Sequence, residues 1–341
     1  DVSAPEGATI LDVTKSAGFE IPRLCHMEGL PPNAACRLCV VEVGGARSLV
    51  ASCSFPVSNN MVVKTNTERV ARARKQVMEL LLSDHPFDCM TCEKSGACDL
   101  EKYAYQLGVR TSRFQGEKHA YPLDESNPFI VRDYNKCILC GRCVAACNSI
   151  QFVGAIDIAH RGFSAKVAAP FDRSLLDSTC TFCGNCVSVC PTGALIEKTR
   201  MFQGREWEFK KVSTVCPYCG VGCNIELNIK DNRIVKVAPM NNEAVNGSSL
   251  CIKGKFGMDF VNSPDRLTTP LIRRNGQLSE ASWEEAYDLI ASKFGQVKEE
   301  SGPNAFAFLS SGRATNEANY LVQKFARAVI GTNCIDNCAR T

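Results

Sequence analysis

No apolar run in this 341-residue chain approaches the roughly 20 residues of a membrane-spanning helix, so no span is expected. A secretory leader is missing too, as is a twin-arginine segment. The chain opens at Asp1 rather than methionine, which leaves room for a short leader ahead of it. Basic tracts and Gly-rich phosphate loops are absent, and with them the usual grounds for expecting a nucleic-acid partner. Side-chain charge is nearly balanced at +3, a figure that counts every cysteine as neutral. What the chain has in excess is cysteine, with 21 residues. Disulfide scaffolds belong to small secreted domains, so this many thiols without a leader imply a reducing cytosol and bound metal.

Length and an apolar content of 45% allow several small cores. Residues 1–66 read as a β-rich unit with a short helix at Ala8–Ala17 and strands at Leu38–Val43 and Met61–Lys64. Helical character over Glu68–Leu82 marks a second unit, 67–115. A polar link, Gly116–Asn127, leads into a third, 126–205, which contains an internal repeat. Alternating strands at Val212–Val215, Asn224–Ile229 and Arg233–Ala238 belong to a fourth, 208–265. In the last stretch, 266–341, Trp283–Val297 and Glu317–Val329 read as helices flanking a strand at Ala305–Leu309, the rhythm of a doubly wound domain.

Eighteen of the cysteines fall into five spaced groups between Cys25 and Cys223, and Cys251 completes the last. Soft thiolates at short, fixed intervals let one or two loops wrap an iron–sulfur cluster. Cys25, Cys36, Cys39 and Cys53 form the first group, with a spacing that is neither that of plant-type ferredoxins nor that of a zinc knuckle. His85, Cys89, Cys92 and Cys98 form the second, where composition alone also suits zinc. C-x-x-C-x-x-C-x-x-x-C then occurs at Cys137–Cys147 and again at Cys180–Cys190, with Pro191 following. This is the bacterial two-cluster ferredoxin pattern, in which the fourth cysteine of each run ligates the other cluster. It assigns Cys137, Cys140, Cys143 and Cys190 to one cubane, and Cys180, Cys183, Cys186 and Cys147 to the other. Cys216, Cys219, Cys223 and the distant Cys251 make the fifth group, whose spacing by itself a zinc ribbon shares. Cys334 and Cys338 complete no site, and His26, His119 and His160 read as ordinary residues.

The text around these groups resembles known families. E-G-A-T-I-L-D-V, I-P-R-L-C-H and C-R-L-C-V-V-E-V resemble the N-terminal 2Fe–2S domain of the respiratory complex I large subunit. D-H-P-F-D-C-M-T-C-E-K-S-G-A-C-D-L resembles the cubane site, ligated by one histidine and three cysteines, that follows it there. V-C-P-Y-C-G-V-G-C with C-I-K-G-K-F-G resembles the cubane domain that opens the molybdenum or tungsten bis-pterin oxidoreductases. Lys253 stands where that family places a lysine between cubane and pterin, which implies a buried electron relay. The order of units resembles the catalytic subunit of cytosolic formate dehydrogenases linked to NAD(P) or to a hydrogenase. The run S-S-G-R-A-T-N-E-A-N-Y to C-I-D-N-C-A-R-T is the part most specific to that branch.

The resemblance implies an α+β multidomain protein. Its units would be a two-iron ferredoxin-like β-grasp, a helical cubane domain, a bacterial-type double-cubane ferredoxin, a β-rich cubane domain and the start of an α/β pterin-binding domain. It implies one 2Fe–2S cluster, four 4Fe–4S clusters (one with His85 as ligand) and a Mo or W bis-molybdopterin guanine dinucleotide in the complete enzyme. With their thiolates the five clusters carry about −9 in formal charge, so the loaded protein would be acidic. Formate and CO2 are the implied substrates, and flavin- and iron–sulfur-containing subunits serving NAD(P), ferredoxin or a hydrogenase the implied partners, in the cytoplasm. No catalytic residue is expected within the chain; the branch places a Cys or selenocysteine immediately after Thr341. A complex I large subunit would share the first, second and fifth groups, but the doubled run and the formate-type ending argue against it. An iron-only hydrogenase would share the first four but carry C-C-P motifs next. A non-catalytic electron-transfer subunit is the third alternative.

Overall fold

A computed structural model describes residues 1–240 and 245–338. Thr9 starts helix α1 (Ile10–Ser16) through a capping box with Asp12, a device that stabilises a helix start by about 1 kcal/mol. Ile10 and Leu11 bury against an antiparallel sheet of β1 (Val40–Val43), β2 (Val50–Ala51) and β3 (Val63–Lys64), with β1 in the middle. Thr67 caps α2 (Glu68–Asp84), which buries Val70, Arg74, Met78 and Leu82 as one stripe at helical spacing. Arg74 Nη2 donates to the Val40 carbonyl at 2.9 Å and ties the helix to β1. The loop His85–Cys98 then leads into α3 (Asp99–Gln106).

The third unit runs through β4 (Ile130–Arg132), α4 (Arg142–Ser149), the antiparallel pair β5 (Asp157–Ala159) and β6 (Lys166–Ala168), α5 (Asn185–Val189) and β7 (Leu195–Glu197). Its first and last strands pair antiparallel, Arg132 opposite Leu195, and so close the unit on itself. The doubled cysteine run gives two matching halves. Leu139 and Phe182, each the residue before a second cysteine, are left-handed at φ 50° and 54°. Gly141 and Gly184, at φ 75° and 76°, begin α4 and α5. Glycine is required there for room as well as for φ: a Cβ would sit 2.5 Å from Asn33 Nδ2 at Gly141, and 2.6 Å from Lys255 Cγ at Gly184.

A three-stranded antiparallel sheet follows, β8 (Lys210–Val215), β9 (Asn224–Lys230) and β10 (Arg233–Pro239), with β9 central and the short α6 (Ile252–Phe256) after it. The last unit holds the hairpin β11 (Leu271–Arg274) and β12 (Gln277–Glu280), then α7 (Trp283–Ser301), β13 (Phe308–Ser310), α8 (Asn316–Lys324) and β14 (Ile335–Asn337). The last two strands are parallel and joined through α8, the expected crossover. The strand expected from Ala305 begins at Phe308, because Pro303 opens a 3-10 turn over Pro303–Ala305. The helix expected over Glu317–Val329 divides into α8 and a π-helical stretch, Phe325–Ile330. Among the described residues no helix is long and apolar enough to cross a membrane. The expectation attached to Thr341 lies outside the described residues.

The units share cores. Leu24, Cys25, Cys36 and Leu38 of the first pack with Met78, Leu82, Leu100 and Tyr103 of the second and with Cys140 of the third. Polar ties fix the same junction: Asn33 Nδ2 donates to the Cys140 carbonyl at 2.8 Å, and Arg142 Nη2 to the His26 carbonyl at 3.0 Å. Farther along, the buried Lys255 of α6 donates to Glu197 of β7 at 2.5 Å and to the Val237 carbonyl at 2.7 Å.

Candidate metal centres

The first group is buried throughout. Cys36 and Cys39 flank the turn into β1, Cys53 follows β2, and the Cys36 amide donates to Cys25 Sγ at 3.5 Å. Hydrogen bonds from Cys36 and Cys53 hold the Cys25 thiol down to about 2, and that from Cys53 holds Cys39 at about 6. Cys36 and Cys53 are pushed up in exchange. Two of the four sulfurs, Cys25 and Cys39, are thereby held as thiolates, the form that binds metal, while the other two act as their donors.

At the second group His85 is buried, and burial lowers its pKa, so the imidazole is neutral. Its Nδ1 donates to the Pro86 carbonyl at 2.8 Å, which leaves Nε2 a lone pair with no protein partner. A neutral ring oriented through its other nitrogen is what a metal-ligating histidine requires. His85, Cys89 and Cys98 line one cavity of about 520 Å³. Cys92 lies outside that lining, yet its charge, after burial, helps raise the thiols of Cys89 and Cys98, the latter to about 12.

Two cavities of the third unit are lined by cysteines. Cys137, Cys140, Cys143 and Cys190 line one; Cys147, Cys180, Cys183 and Cys186 line the other. Each set joins three cysteines of one run to the fourth of the other. Burial raises Cys140 and Cys186 to about 12 and Cys143 well above its ordinary value, a cost that metal ligation would remove. In the fourth unit Cys216 follows β8, Cys223 precedes β9, and the Cys216 amide donates to the Cys223 carbonyl at 2.8 Å. Cys251 caps α6, and burial together with the charges of Cys251 and Cys219 raises Cys216. Among the described residues no three His, Cys, Asp or Glu side chains gather around a single ion point. In the third unit each set of four sulfurs lines one cavity, as the ligands of a multi-atom cluster would.

Comparison with known proteins matches this order of sites. Residues 1–68 match a 2Fe-2S iron-sulfur cluster binding domain, and 74–113 the NADH-ubiquinone oxidoreductase-G iron-sulfur binding region. Residues 136–194 match a 4Fe-4S dicluster domain, 209–263 the molybdopterin oxidoreductase Fe4S4 domain, and 266–341 the molybdopterin oxidoreductase domain. The NADPH-Fe(3+) oxidoreductase subunit alpha of Geobacter sulfurreducens is 38% identical over 340 residues, which is 100% of this chain and 39% of that protein. A putative formate dehydrogenase of Bacillus subtilis is 37% identical, covering 100% of this chain and 39% of its own length. An NADH-quinone oxidoreductase subunit of Rhizobium meliloti is 36% identical over 98% of this chain and 39% of its own. In a solved NAD+-reducing NiFe-hydrogenase, one chain is 32% identical with a TM-score of 0.55, covering 60% of this chain and 86% of that one. The chain is an iron–sulfur electron-transfer module of the molybdopterin oxidoreductase family. It spans about two-fifths of the length of the curated relatives it matches, 39% in each case.

Within this module the groups adjoin in a definite order. A Cβ at Gly193 would meet Cys92 Sγ at 2.7 Å and Lys136 Cδ at 3.3 Å, so the second group abuts the loop that follows Cys190. Cys140 shares a core with Cys25 and Cys36, which puts the first group beside the same cavity. On the far side Gly184, next to Cys183, touches Phe256 and Lys255 of the helix that Cys251 begins. In this chain, which spans 39% of its relatives' length, Lys253 is exposed on that helix and Lys255 is buried. Cys334 and Cys338 are exposed, Cys338 within 3.3 Å of Ser311 Oγ. His119 stacks on Phe163 and pairs at 2.5 Å with Asp84, the residue before His85, and lines a cavity with Pro86 and Asp88.

Proposed function

We propose that the module relays electrons taken from formate at a Mo or W bis-pterin centre of the parent enzyme to a flavin-bearing subunit serving NAD(P), ferredoxin or a hydrogenase. The observation that carries this reading is the unbroken succession of five cysteine-built sites, two of them back to back in one small unit. Formate gives up two electrons and one proton in becoming CO2, so a relay must accept electrons singly. Bound clusters supply that one-electron storage. The chain supplies spacing, ligand type and charge.

We assign a 2Fe–2S cluster to Cys25, Cys36, Cys39 and Cys53, and cubanes to His85 with Cys89, Cys92 and Cys98, to the two crossed sets of the third unit, and to Cys216, Cys219, Cys223 and Cys251. Lys253, exposed beside Cys251, would face the pterin. The adjacencies at Gly184 and Gly193 support a path from the fifth site through the double set to the second, with the first reached through Cys140. The relative named a putative formate dehydrogenase supports the substrate, and the likeness to a NAD+-reducing NiFe-hydrogenase supports the kind of partner. A second reading, a subunit like that of NADH-quinone oxidoreductase, is favoured by the match at 74–113.

The parent protein, purified anaerobically, is expected to reduce dye with formate, to contain Mo or W, and to hold about 18 iron atoms in these five clusters, without zinc. Full iron without a response to formate would leave an electron-transfer subunit of the second kind. Stoichiometric zinc would remove the His85 or the Cys216 group from the relay.

A further inference from the structure

Arg132 has no place in the motifs, yet it occupies the centre of the third unit. It ends β4 and is 7% exposed, fixed there by its pairing opposite Leu195. The walls of both sulfur-lined cavities include it: the one with Cys137, Cys140, Cys143 and Cys190, and the one with Cys147, Cys180, Cys183 and Cys186. Nη1 donates to Tyr134 Oη at 2.5 Å, and the guanidinium lies 5.3 Å from the centre of that ring. Arg200 has Glu93 and Glu206 as ion-pair partners and Lys255 has Glu197. Among the described residues no carboxylate comes within ion-pair distance of Arg132, although Asp124 contributes at longer range.

A guanidinium cannot shed its proton, and burying one without a counter-ion is strongly unfavourable. Apart from the Tyr134 hydroxyl and the more distant Asp124, the groups able to be anionic that act on it or share its cavity walls include the sulfurs on both sides. The charge of Arg132 acts on Cys137 in the wall of one cavity and on Cys180 and Cys186 in the wall of the other. A cubane with four thiolates is formally about −2, and its potential depends on the net charge around it. We propose that Arg132 is the shared counter-cation of two cubanes, stabilising an electron on either one and coupling their potentials through a single side chain. The inference rests on the assignment of cubanes to those eight cysteines.

Arg132→Met and Arg132→Lys in the whole protein test it by potentiometric EPR with iron counting. If Arg132→Met keeps its iron, the reduced-to-oxidised ratio of these two centres at fixed potential should fall at least tenfold, a shift of about 59 mV for one electron. Arg132→Lys should lie near the parent, and the other three centres should not move. Unchanged potentials with full iron would overturn the proposal. Should Arg132→Met lose these clusters, retention in Arg132→Lys would support a need for charge, and loss in both would refute it in favour of a purely steric role. Absence of the eight irons from the unmodified protein would instead refute the cubane assignment.

Discussion

Glu197→Gln should loosen the seam between the third and fourth units without touching a cysteine. Glu197 and Lys255 are 4% and 3% exposed, and their pairing at 2.5 Å joins β7 to α6. Burial alone would push the Glu197 carboxyl up, but the ammonium groups of Lys255 and Lys236 pull it down to about 2 from 4.5. At 1.36 kcal/mol per unit, that depression corresponds to about 3 kcal/mol. Removing one partner of a buried pair costs a similar amount, about 3–5 kcal/mol. A neutral amide in place of the carboxylate would leave Lys255 with the Val237 carbonyl and an uncompensated charge. Amide hydrogen exchange across Leu195–Glu197 and Ile252–Phe256 should therefore quicken by about a hundredfold. Combining Glu197→Gln with Lys255→Met should restore most of the protection, since no buried charge is then stranded. Because the folded carboxyl titrates below the unfolded one, its contribution is complete above about pH 4.5 and fades as pH falls towards about 2. Opening free energies at these amides should thus be flat from neutrality to pH 5 in the unmodified protein. Unchanged exchange in Glu197→Gln, or a double variant no better than the single, would refute the reasoning.

Three further outcomes are expected. His85→Cys should keep the second cluster but lower its potential, because a thiolate adds negative charge where a neutral imidazole stood; EPR titration showing no change or a rise would remove His85 as ligand. Cys147→Ala should cost about four irons from the cluster of Cys180, Cys183 and Cys186 and spare that of Cys137; the opposite loss would refute the crossed assignment. Gly193→Ala should displace Cys92 Sγ, which lies 2.7 Å from the new methyl position, and alter the EPR line shape of the second centre with iron retained; an identical spectrum would contradict that contact.

Cysteine groupings are legible in the sequence because their loops are short and carry their own turn chemistry. The three helices expected from apolar periodicity at Glu68, Trp283 and Glu317 begin within a residue of those positions, each at a Thr or Ser cap that accepts a backbone amide. Asn275–Gly276 is an equally legible hairpin signal, with both residues at positive φ between β11 and β12, although no hairpin was expected there. The π-helical end at Phe325 is not legible, since nothing in an apolar period distinguishes it from an ordinary helix. Long-range pairing hides the rest. Whether Lys253 or Lys255 is buried depends on where Glu197 lies, fifty-odd residues earlier in the chain, and Arg132 reaches the two cavities only because β4 pairs with β7.

Burial of the cysteines is graded along the chain. Cys25, Cys36, Cys39 and Cys53 are sealed, whereas Cys219 and Cys251 are exposed in this chain. Oxidants attack accessible thiolates first, so in this chain by itself thiol labelling or oxidation should reach Cys219 and Cys251 before the first group. In a longer parent, slower oxidation of Cys219 and Cys251 than in this chain alone would report that another part of the protein packs against α6.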